Sequence, residues 1–331
     1  MPPLRLHPTD PRYFADAAGR RVILAGSHHW DNLLDNAERP GGFDFERYLD
    51  RLAGWGHNFI RLWTHEAWTH DLRPRVYCRE ERTGPGPGRA LDGRPRFDLT
   101  RFNPEYFDRL RGRVVRAGER GFYVSVMLFN GWSIHNKGEG NPWDHHPFNR
   151  ENNIHRIDGD PDARGEGSDV HTLRVPEITR LQEAYVEKVV ETVGDLDHVL
   201  WEISNESPRE SVPWQYNLID FLKKVDPNRH PIGMTATFPG NRNEDLFRGP
   251  ADWISPGNQG GWRKNPPPAD GRKVVIVDTD HLWGIGGDAD WVRRMFRLGY
   301  QVLYMDPLDD DPVREGARRA MGEALRSQIT G

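Results

Sequence analysis

The sequence lacks the features that mark disulfide-rich, membrane-spanning and nucleic-acid-binding proteins. It has one cysteine, Cys78, in 331 residues, which excludes an internal disulfide and leaves no second thiol for a redox or zinc pair. No apolar run approaches the roughly 18 residues that a membrane-spanning helix requires. Lys and Arg total 45 against 50 Asp and Glu, with both signs interspersed, so no basic stripe indicates a nucleic-acid partner. We therefore expect neither nucleic acid nor a membrane as a partner and regard Cys78 as incidental.

The first ten residues, "MPPLRLHPTD", do not show the charged and then apolar pattern of a signal peptide. The expected location is therefore the cytoplasm, or the cell exterior after removal of a leader. The sequence leaves the oligomeric state open.

Tryptophan is the abundant residue, with 12 copies and an aromatic content of 11%. Apolar residues at 36% and charged residues at 29% are typical of a globular protein. Flat rings with a polar edge stack well on sugars or bases, although tryptophan is also ordinary core material. The composition therefore permits a ligand-stacking function without demanding one.

Strand and helix patterns alternate along the chain. The segment "RYFADAAGRRVILAG" predicts a hairpin around "DAAG", whose second strand, Val22 to Ala25, continues into "SHHW". Helix patterns then lead into strands, as where Asn103 and Pro104 begin a helix that precedes "FYVSVMLF". Eight strands result, counted from Val22. This order favours a single (β/α)8 TIM barrel over residues 1–331, with an N-terminal β-hairpin, rather than a doubly wound sheet.

Three long irregular segments follow predicted strands 2, 3 and 6, at residues 64–102, 130–175 and 256–272. In a barrel this position places them on the C-terminal face, where active sites are built. Long loops in compact domains are often functional, although these turn-rich stretches also fit passive insertions. We expect them to surround the active site.

Two predicted strands end in carboxylates. Strand 4, "VLWEIS", runs into Asn205 and Glu206, and strand 7, "VVIVDTD", carries Asp278 and Asp280. Opposite strands face one another across a barrel mouth, so these carboxylates can approach the roughly 5–5.5 Å used by retaining glycosidases. Like charges at that range keep a proton on one group, which supplies a general acid beside a nucleophile. A structural alternative is a pair of aspartates that fix the loop through backbone N–H groups.

"VLWEISNESP" resembles the strand-4 signature of the clan A glycoside hydrolases, in which Asn-Glu after an apolar strand supplies the acid/base carboxylate. The hairpin, the "NFIRLW" of strand 2 and the strand-7 acid follow in the order of that clan. The segments "NPWDHHPFNRENN" and "GYQVLYMDP" are similar to apiosidase-like and uncharacterised branches of it. The resemblance implies Glu206 as acid/base, Asn205 as partner of the neighbouring sugar hydroxyl, and Arg61 as support for the carboxylates.

The chain departs from the clan on strand 7, where Asp278 and Asp280 replace the usual Glu. Both point to the same side, so either Asp278 or Asp280 could be the nucleophile, and Asp280 is preferred because it lies nearer the mouth and is followed by His281. A separation of about 6.5 Å or more would instead permit inversion. Other residues at predicted strand ends and in the loops are expected to bind the sugar: Asn205, Arg61, His28, Trp30, Trp63, His65, Asn130, Trp132, His146, His281 and Trp283.

Several alternatives remain at this stage. Arg61 and Glu202 also fit a buried ion pair, and His28 a satisfied core histidine. Asn149, Asn152 and Asn153 suit sugar hydroxyls or turn caps equally. A metal-dependent hydrolase would use His28, Asp278, Asp280 and His281, but adjacent histidines such as His28 and His29 point to opposite faces of a strand.

A non-catalytic carbohydrate-binding barrel is the other alternative, and it predicts sugar affinity that survives Glu206→Gln. The favoured prediction is a glycoside hydrolase that needs neither cofactor nor metal and acts on an oligosaccharide or glycoside. The sugar, the linkage and the choice between terminal and internal cleavage stay open.

Overall fold

The computed structural model describes residues 3–36, 41–67, 79–135 and 140–329. Cys78 lies outside them. Thirteen strands occur in this part of the chain, and eight of them form a closed parallel barrel in the order β4-β5-β8-β9-β10-β11-β12-β13. The strands are Arg5–Leu6 (β1), Phe14–Ala15 (β2), Arg21–Val22 (β3), Ala25–His28 (β4), Phe59–Leu62 (β5), Glu80–Arg82 (β6), Phe97–Phe102 (β7), Tyr123–Asn130 (β8), Val199–Asn205 (β9), Ile232–Thr235 (β10), Trp253–Ser255 (β11), Val274–Asp278 (β12) and Gln301–Met305 (β13).

Seven α-helices connect these strands in the described ranges. They are Phe45–Trp55 (α1), Pro104–Glu119 (α2), Pro176–Val193 (α3), Val212–Val225 (α4), Asn243–Arg248 (α5), Ala289–Arg297 (α6) and Pro312–Ile329 (α7). The connection from β11 to β12 holds only a short 3₁₀ turn, Gln259–Gly261, which agrees with the long loop predicted after the sixth barrel strand. The predicted (β/α)8 barrel is therefore confirmed. No helix in the described residues is both long and apolar enough to cross a bilayer.

Helix ends follow the sequence signals. Asn103 caps α2 by accepting a hydrogen bond from the backbone N–H of Glu105, with Pro104 as the first helical residue. Gly56 ends α1 with φ +83°, a conformation that glycine adopts without the steric cost a side chain would add. Apolar residues at helical spacing on these helices pack against the outer face of the barrel.

The N-terminal hairpin is confirmed, but its extent differs from the prediction. Strands β2 and β3 pair antiparallel, and β1 adds a third strand that the pattern did not indicate. The predicted strand from Val22 into "SHHW" is wrong in its continuity, because β3 ends at Val22 and barrel strand β4 begins separately at Ala25. Leu4 and Phe14 join a cluster with residues from six barrel strands, so the hairpin contributes to this apolar core.

The segment 64–102 is also less irregular than expected. Within its described residues, β6 and β7 form an antiparallel pair with a register shift between Glu80 and Glu81. The alternation of apolar and charged residues in "RFDLTRF" was the available strand signal. A small hairpin therefore lies in the connection that follows β5.

Candidate active site

A polar layer lies above the apolar layer inside the barrel. Phe59, Leu200 and Ile276 belong to the interior apolar cluster. Successive side chains on a strand alternate between faces, so the residue two positions later points inward as well. The inward residues reached in this way are Arg61, Glu202 and Asp278, all at most 1% exposed.

Arg61 is the centre of this layer. Its Nε donates to both carboxylate oxygens of Glu202 at 3.0 and 2.9 Å, and Nη2 donates to Oδ1 of Asn205 at 2.8 Å. Nη1 lies 3.4 Å from Oδ2 of Asp278 and 3.2 Å from Oδ2 of Asp280. Burial alone would lower the pKa of Arg61, but these carboxylates outweigh it and hold the guanidinium charged. The buried Arg61–Glu202 pair considered from the sequence is therefore present, and Arg61 also contacts Asp278 and Asp280.

His28 is a fully buried histidine with both ring nitrogens hydrogen-bonded. The indole Nε1 of Trp63 donates to its Nδ1 at 2.7 Å, and its Nε2 lies 2.9 Å from Oδ1 of Asp278. Because indole N–H can only donate, Nδ1 is the acceptor and Nε2 carries the proton toward Asp278. Burial raises the pKa of Asp278, but His28 and Arg61 outweigh this effect and hold it well below its usual value. Asp278 is thus an ionised, enclosed carboxylate.

Asp280 differs from Asp278 although it lies only two residues later. It is partly exposed, with 8% of its side chain accessible, and its backbone N–H donates to Oδ1 of Asp278 at 3.0 Å. Burial, then the negative charges of Glu206 and Asp278, raise the pKa of Asp280 well above its usual value. Arg61 opposes this shift without cancelling it. Of Asp278 and Asp280, Asp280 is therefore the one that holds a proton more readily.

Glu206 follows β9 directly in a left-handed backbone conformation, with φ +45°. A side chain at Gly131 would place its Cβ 2.2 Å from the carbonyl oxygen of Glu206, so the two backbones meet at a contact that only glycine permits. The carboxylate Oε2 accepts a 2.6 Å hydrogen bond from Nε1 of Trp132. These contacts turn Glu206 out of the strand direction and fix its side chain beside Trp132.

Solvent exposure separates the predicted site residues into two groups. Nine of them are buried, and five retain intermediate exposure. The buried residues contact one another and the partly exposed residues. Only the partly exposed group offers substantial surface to a ligand. The five partly exposed residues are Glu206, Asp280, Trp30, Trp132 and Trp283.

Some of the expected sugar contacts are corrected by this burial. His28 and His146 have no exposed surface. His28 contacts Asp278 and Trp63, and His146 packs between Trp143 and Phe148 beneath the loops. Neither ring can touch a sugar in this conformation, because neighbouring side chains enclose it.

Asn130 is enclosed in the same way. Its side-chain amide donates to the backbone carbonyl of Thr64 at 3.1 Å, and its Oδ1 accepts from the backbone N–H of Trp132. It therefore begins the turn that carries Trp132 toward Glu206. The turn-cap alternative also holds for the asparagines of the following loop, since Asn152 and Asn153 donate only to backbone carbonyls.

Asn205 directly precedes Glu206 in the chain, and His281 directly follows Asp280. Asn205 accepts at Oδ1 from Arg61 and lies 3.1 Å from Nε2 of His281. The other nitrogen of His281 is 2.7 Å from Oγ of Ser255, and burial lowers the pKa of His281 to about 3. Burial likewise lowers the pKa of His65 to about 4. Both histidines are neutral at ordinary pH.

Asp278, Asp280 and His281 lie close enough to be tested as a metal site, with one ligand atom from each within 4.8 Å of the others. The donors are already engaged, since both nitrogens of His281 and both oxygens of Asp278 have hydrogen-bond partners. Arg61 places a positive charge against both aspartates. These residues therefore fit a guanidinium-centred cluster better than a divalent cation.

A second buried cluster beside the site was not predicted. Glu66, His171 and Ser207 come from three separate connections and are each at most 2% exposed. Oε2 of Glu66 lies 3.1 Å from Nε2 of His171, whose Nδ1 lies 2.8 Å from Oγ of Ser207. The one available signal was the position of Ser207 directly after Glu206. The loop residues carry no periodic pattern that could have placed them together.

Comparison with known proteins gives a family match and a shared fold. The family model described as "Apiosidase-like, catalytic domain" matches residues 8–156, just under half of the chain. This segment contains His28, Arg61 and Trp132 and ends before Glu206 and Asp280. No curated protein matches the sequence.

Solved structures of glycoside hydrolases share the fold across the chain. A glycoside hydrolase family 5 mannosidase from Rhizomucor miehei is 12% identical with a TM-score of 0.61, covering 99% of this chain and 98% of its own. Endo-glycoceramidase II from Rhodococcus sp. is 17% identical with a TM-score of 0.54, covering 95% and 80%. A candidate glycoside hydrolase from Bacteroides vulgatus is 16% identical with a TM-score of 0.59, and this chain spans 99% of itself but only 60% of that protein.

At these identities the structural neighbours show the barrel fold, and residues 8–156 are similar to the apiosidase-like catalytic domain. Both findings agree with the resemblance stated from the sequence.

Proposed function

We propose that this protein is a glycoside hydrolase that retains anomeric configuration, with Glu206 as general acid/base and Asp280 as nucleophile. The observation that carries the proposal is the solvent exposure of the carboxylates in the predicted site. Of these, only Glu206 and Asp280 are partly exposed, and burial together with the charge of Glu206 raises the pKa of Asp280. Two interacting carboxylates at a barrel mouth are the arrangement that glycoside hydrolysis requires.

The reaction proceeds in two displacements. Glu206 gives its proton to the glycosidic oxygen while a carboxylate oxygen of Asp280 attacks the anomeric carbon, so the bond to the leaving group breaks as a glycosyl ester forms. Glu206, now ionised, removes a proton from water, and the water oxygen attacks the same carbon. The ester bond breaks, Asp280 leaves as a carboxylate, and Glu206 is protonated again.

The pair must carry one proton in the reactive complex, placed on Glu206. Arg61 supports this placement because its guanidinium lies 3.2 Å from Oδ2 of Asp280 and favours the anion there. In the free protein, burial and the neighbouring acids raise the pKa of Asp280. Activity therefore depends on which of the two carboxyl groups holds the proton.

Asp278 takes a positioning role in this proposal. It is 1% exposed, and its oxygens face His28, Arg61 and the backbone N–H of Asp280. The loop-fixing alternative considered from the sequence therefore describes Asp278, while Asp280 remains accessible. Asn205 is held by Arg61 and His281 directly before Glu206.

Carbohydrate is the proposed substrate class. Structural neighbours include an endo-1,4-beta-mannanase from Rhizomucor miehei, a mannosidase variant in complex with mannosyl-fructose, and an endo-glycoceramidase in complex with a cellobiose-like imidazole. The partly exposed rings of Trp30, Trp132 and Trp283 offer flat apolar surfaces on which a sugar ring can stack.

A substrate screen with matched variants tests the assignment. Wild type, Glu206→Ala, Asp280→Ala and Asp278→Ala are compared on aryl glycosides and polysaccharides, with the product anomer followed by NMR. We expect Glu206→Ala and Asp280→Ala to lose at least about 100-fold in turnover. Azide should restore turnover of Glu206→Ala on activated substrates, because a small anion replaces the base-activated water. Unchanged turnover in Glu206→Ala would remove the central assignment.

A carbohydrate-binding barrel without catalysis gives a different result in the same experiment. Wild type would then bind sugars with no turnover, and Glu206→Gln would bind equally well. If the product anomer is inverted and Asp280→Ala is inactive, both residues remain in the mechanism. Asp280 then acts as a base on water instead of as the nucleophile.

A further inference from the structure

A buried relay of side chains reaches the residue that directly follows Glu206. Ser207 Oγ lies 2.8 Å from Nδ1 of His171, and Nε2 of His171 lies 3.1 Å from Oε2 of Glu66. The three residues come from the connections after β5, β8 and β9, so the relay joins three loops at the barrel mouth. Glu66, His171 and Ser207 are 2%, 0% and 0% exposed, which rules out direct contact with a substrate in this conformation.

The relay is anchored at both ends. Glu66 also accepts from Nη2 of Arg79 at 3.0 Å and from the backbone N–H of Asn130 at 2.9 Å. Burial raises the pKa of Glu66, but His171 and Arg79 outweigh it and keep the carboxylate ionised. The ring of His171 stacks on Trp214 at 4.5 Å with an 11° angle between planes. The imidazole is therefore fixed in position and orientation.

The other end of the relay borders the strained backbone of the proposed acid/base. Glu206 has φ +45°, and such a conformation persists in a non-glycine residue when its surroundings enforce it. Ser207 supplies part of that enforcement, because its side chain is held by His171 and its carbonyl accepts from the backbone N–H of Phe238 at 2.9 Å. Its hydroxyl also contacts Oγ of Ser204, one residue before Asn205.

We propose that His171 and Ser207 are positioning residues that hold the carboxyl group of Glu206 in line with the leaving-group oxygen. This inference rests on the proposed function, since it assumes that Glu206 is the proton donor. Loss of the His171–Ser207 bond lets the backbone of Glu206 relax, and the proton donor moves while Asp280 and its buried partners stay in place. The defect is therefore specific to substrates whose leaving group needs a proton.

Leaving-group dependence tests the proposal. Ser207→Ala and His171→Gln are assayed on aryl glycosides from dinitrophenyl, which departs unprotonated, to poor phenol leaving groups. We expect kcat/KM to fall about 10- to 100-fold on poor leaving groups and less than about 3-fold on dinitrophenyl glycosides. Ser204→Ala deletes a hydroxyl one contact further away and should lose less. His230→Gln removes a buried histidine before β10, at the opposite end of the barrel, and should lower stability without leaving-group dependence.

Crystal structures of wild type and Ser207→Ala give a readout independent of turnover, because the contact between Glu206 Oε2 and Trp132 Nε1 should lengthen beyond 2.6 Å. An unmoved Glu206 carboxyl, or an equal loss on all leaving groups, would overturn the inference. Glu206→Ala on the same substrates distinguishes failure of the proposed function from failure of the positioning role. If Glu206→Ala keeps turnover on poor leaving groups, the proposed function fails. If Glu206→Ala loses turnover only on poor leaving groups while Ser207→Ala loses it equally on all of them, only the positioning role fails.

Discussion

Trp132 donates its indole N–H to Oε2 of Glu206 at 2.6 Å. An indole nitrogen can only donate, so Oε2 is the accepting oxygen, and in the proposed reaction Oε1 carries the acid proton. Trp132 itself is placed by Asn130, whose Oδ1 accepts from its backbone N–H at 3.1 Å. In the proposed reaction, Oε1 is therefore the oxygen of Glu206 that faces the glycosidic bond.

Trp132→Phe should weaken catalysis by removing this hydrogen bond while keeping an aromatic surface. A hydrogen bond to a charged group contributes about 1.5–3 kcal/mol, and about 1.4 kcal/mol corresponds to tenfold in rate. We expect kcat/KM on aryl glycosides to fall at least about tenfold. Trp30→Phe is the contrasting variant, because Trp30 stacks on His29 instead and should act mainly on KM. An equal effect of both variants on KM alone would contradict the proposed selection of Oε1.

The raised pKa of Asp280 predicts the acid limb of the pH profile. Attack requires ionised Asp280, so kcat/KM falls as pH drops through its pKa, which lies well above the ordinary 3.8. Glu206→Gln removes one of the negative charges that raise this pKa, so the acid limb should move to lower pH. The measurement uses a dinitrophenyl glycoside, which departs without a proton donor. A limb that stays in place or moves upward would show that Glu206 does not act on Asp280.

The ionised forms of Asp278 and Asp280 should change the stability of the fold in opposite directions. A raised pKa in the folded state disfavours the charged form, so ionised Asp280 costs stability increasingly as pH rises above its unfolded value. Asp278 has a lowered pKa and contributes stability above its unfolded value that is lost as pH falls. Asp280→Asn should therefore raise Tm, more at pH 8 than at pH 5, and Asp278→Asn should lower Tm at neutral pH. Calorimetry across that range checks both signs.

Chelation should leave turnover unchanged. Arg61 contacts Asp278 and Asp280, and both nitrogens of His281 are hydrogen-bonded, so the three candidate ligands are committed to other partners. Activity before and after EDTA treatment, together with elemental analysis of the purified protein, provides the measurement. Loss on chelation with recovery on adding a divalent cation would favour the metal-dependent alternative.

The sequence could predict the barrel because each strand–helix unit has its own local signal. Caps such as Asn103 and buried strands such as "VLWEIS" are readable without knowledge of the rest of the chain. The buried Arg61–Glu202 ion pair was also among the alternatives that the sequence offered. What periodicity cannot show is which inward side chains are enclosed, and for this reason His28 and His146 were expected to contact sugar.

The sequence favoured Asp280 over Asp278 by position alone and could not settle the choice between them, for a similar reason. The two residues share one side of the strand, and only their partners separate them. Asp278 is surrounded by His28 and Arg61, whereas Asp280 lies nearer Glu206 and solvent. The contacts among Glu66, His171 and Ser207 could not be predicted from the sequence either. These residues lie in long connections without periodicity and come together only in the folded barrel.

Arg61 should be the residue of the polar layer whose loss costs most stability. It is the shared donor to Glu202, Asp278, Asp280 and Asn205, and Arg61→Met would leave buried carboxylates without their cation. Removing one partner of a buried ion pair costs about 3–5 kcal/mol. Arg111→Met is the matched control, because Arg111 pairs with Asp195 at the surface and such pairs contribute at most about 1 kcal/mol. Urea denaturation of both variants measures the difference, and equal losses would show that the Arg61 cluster does not hold the barrel mouth together.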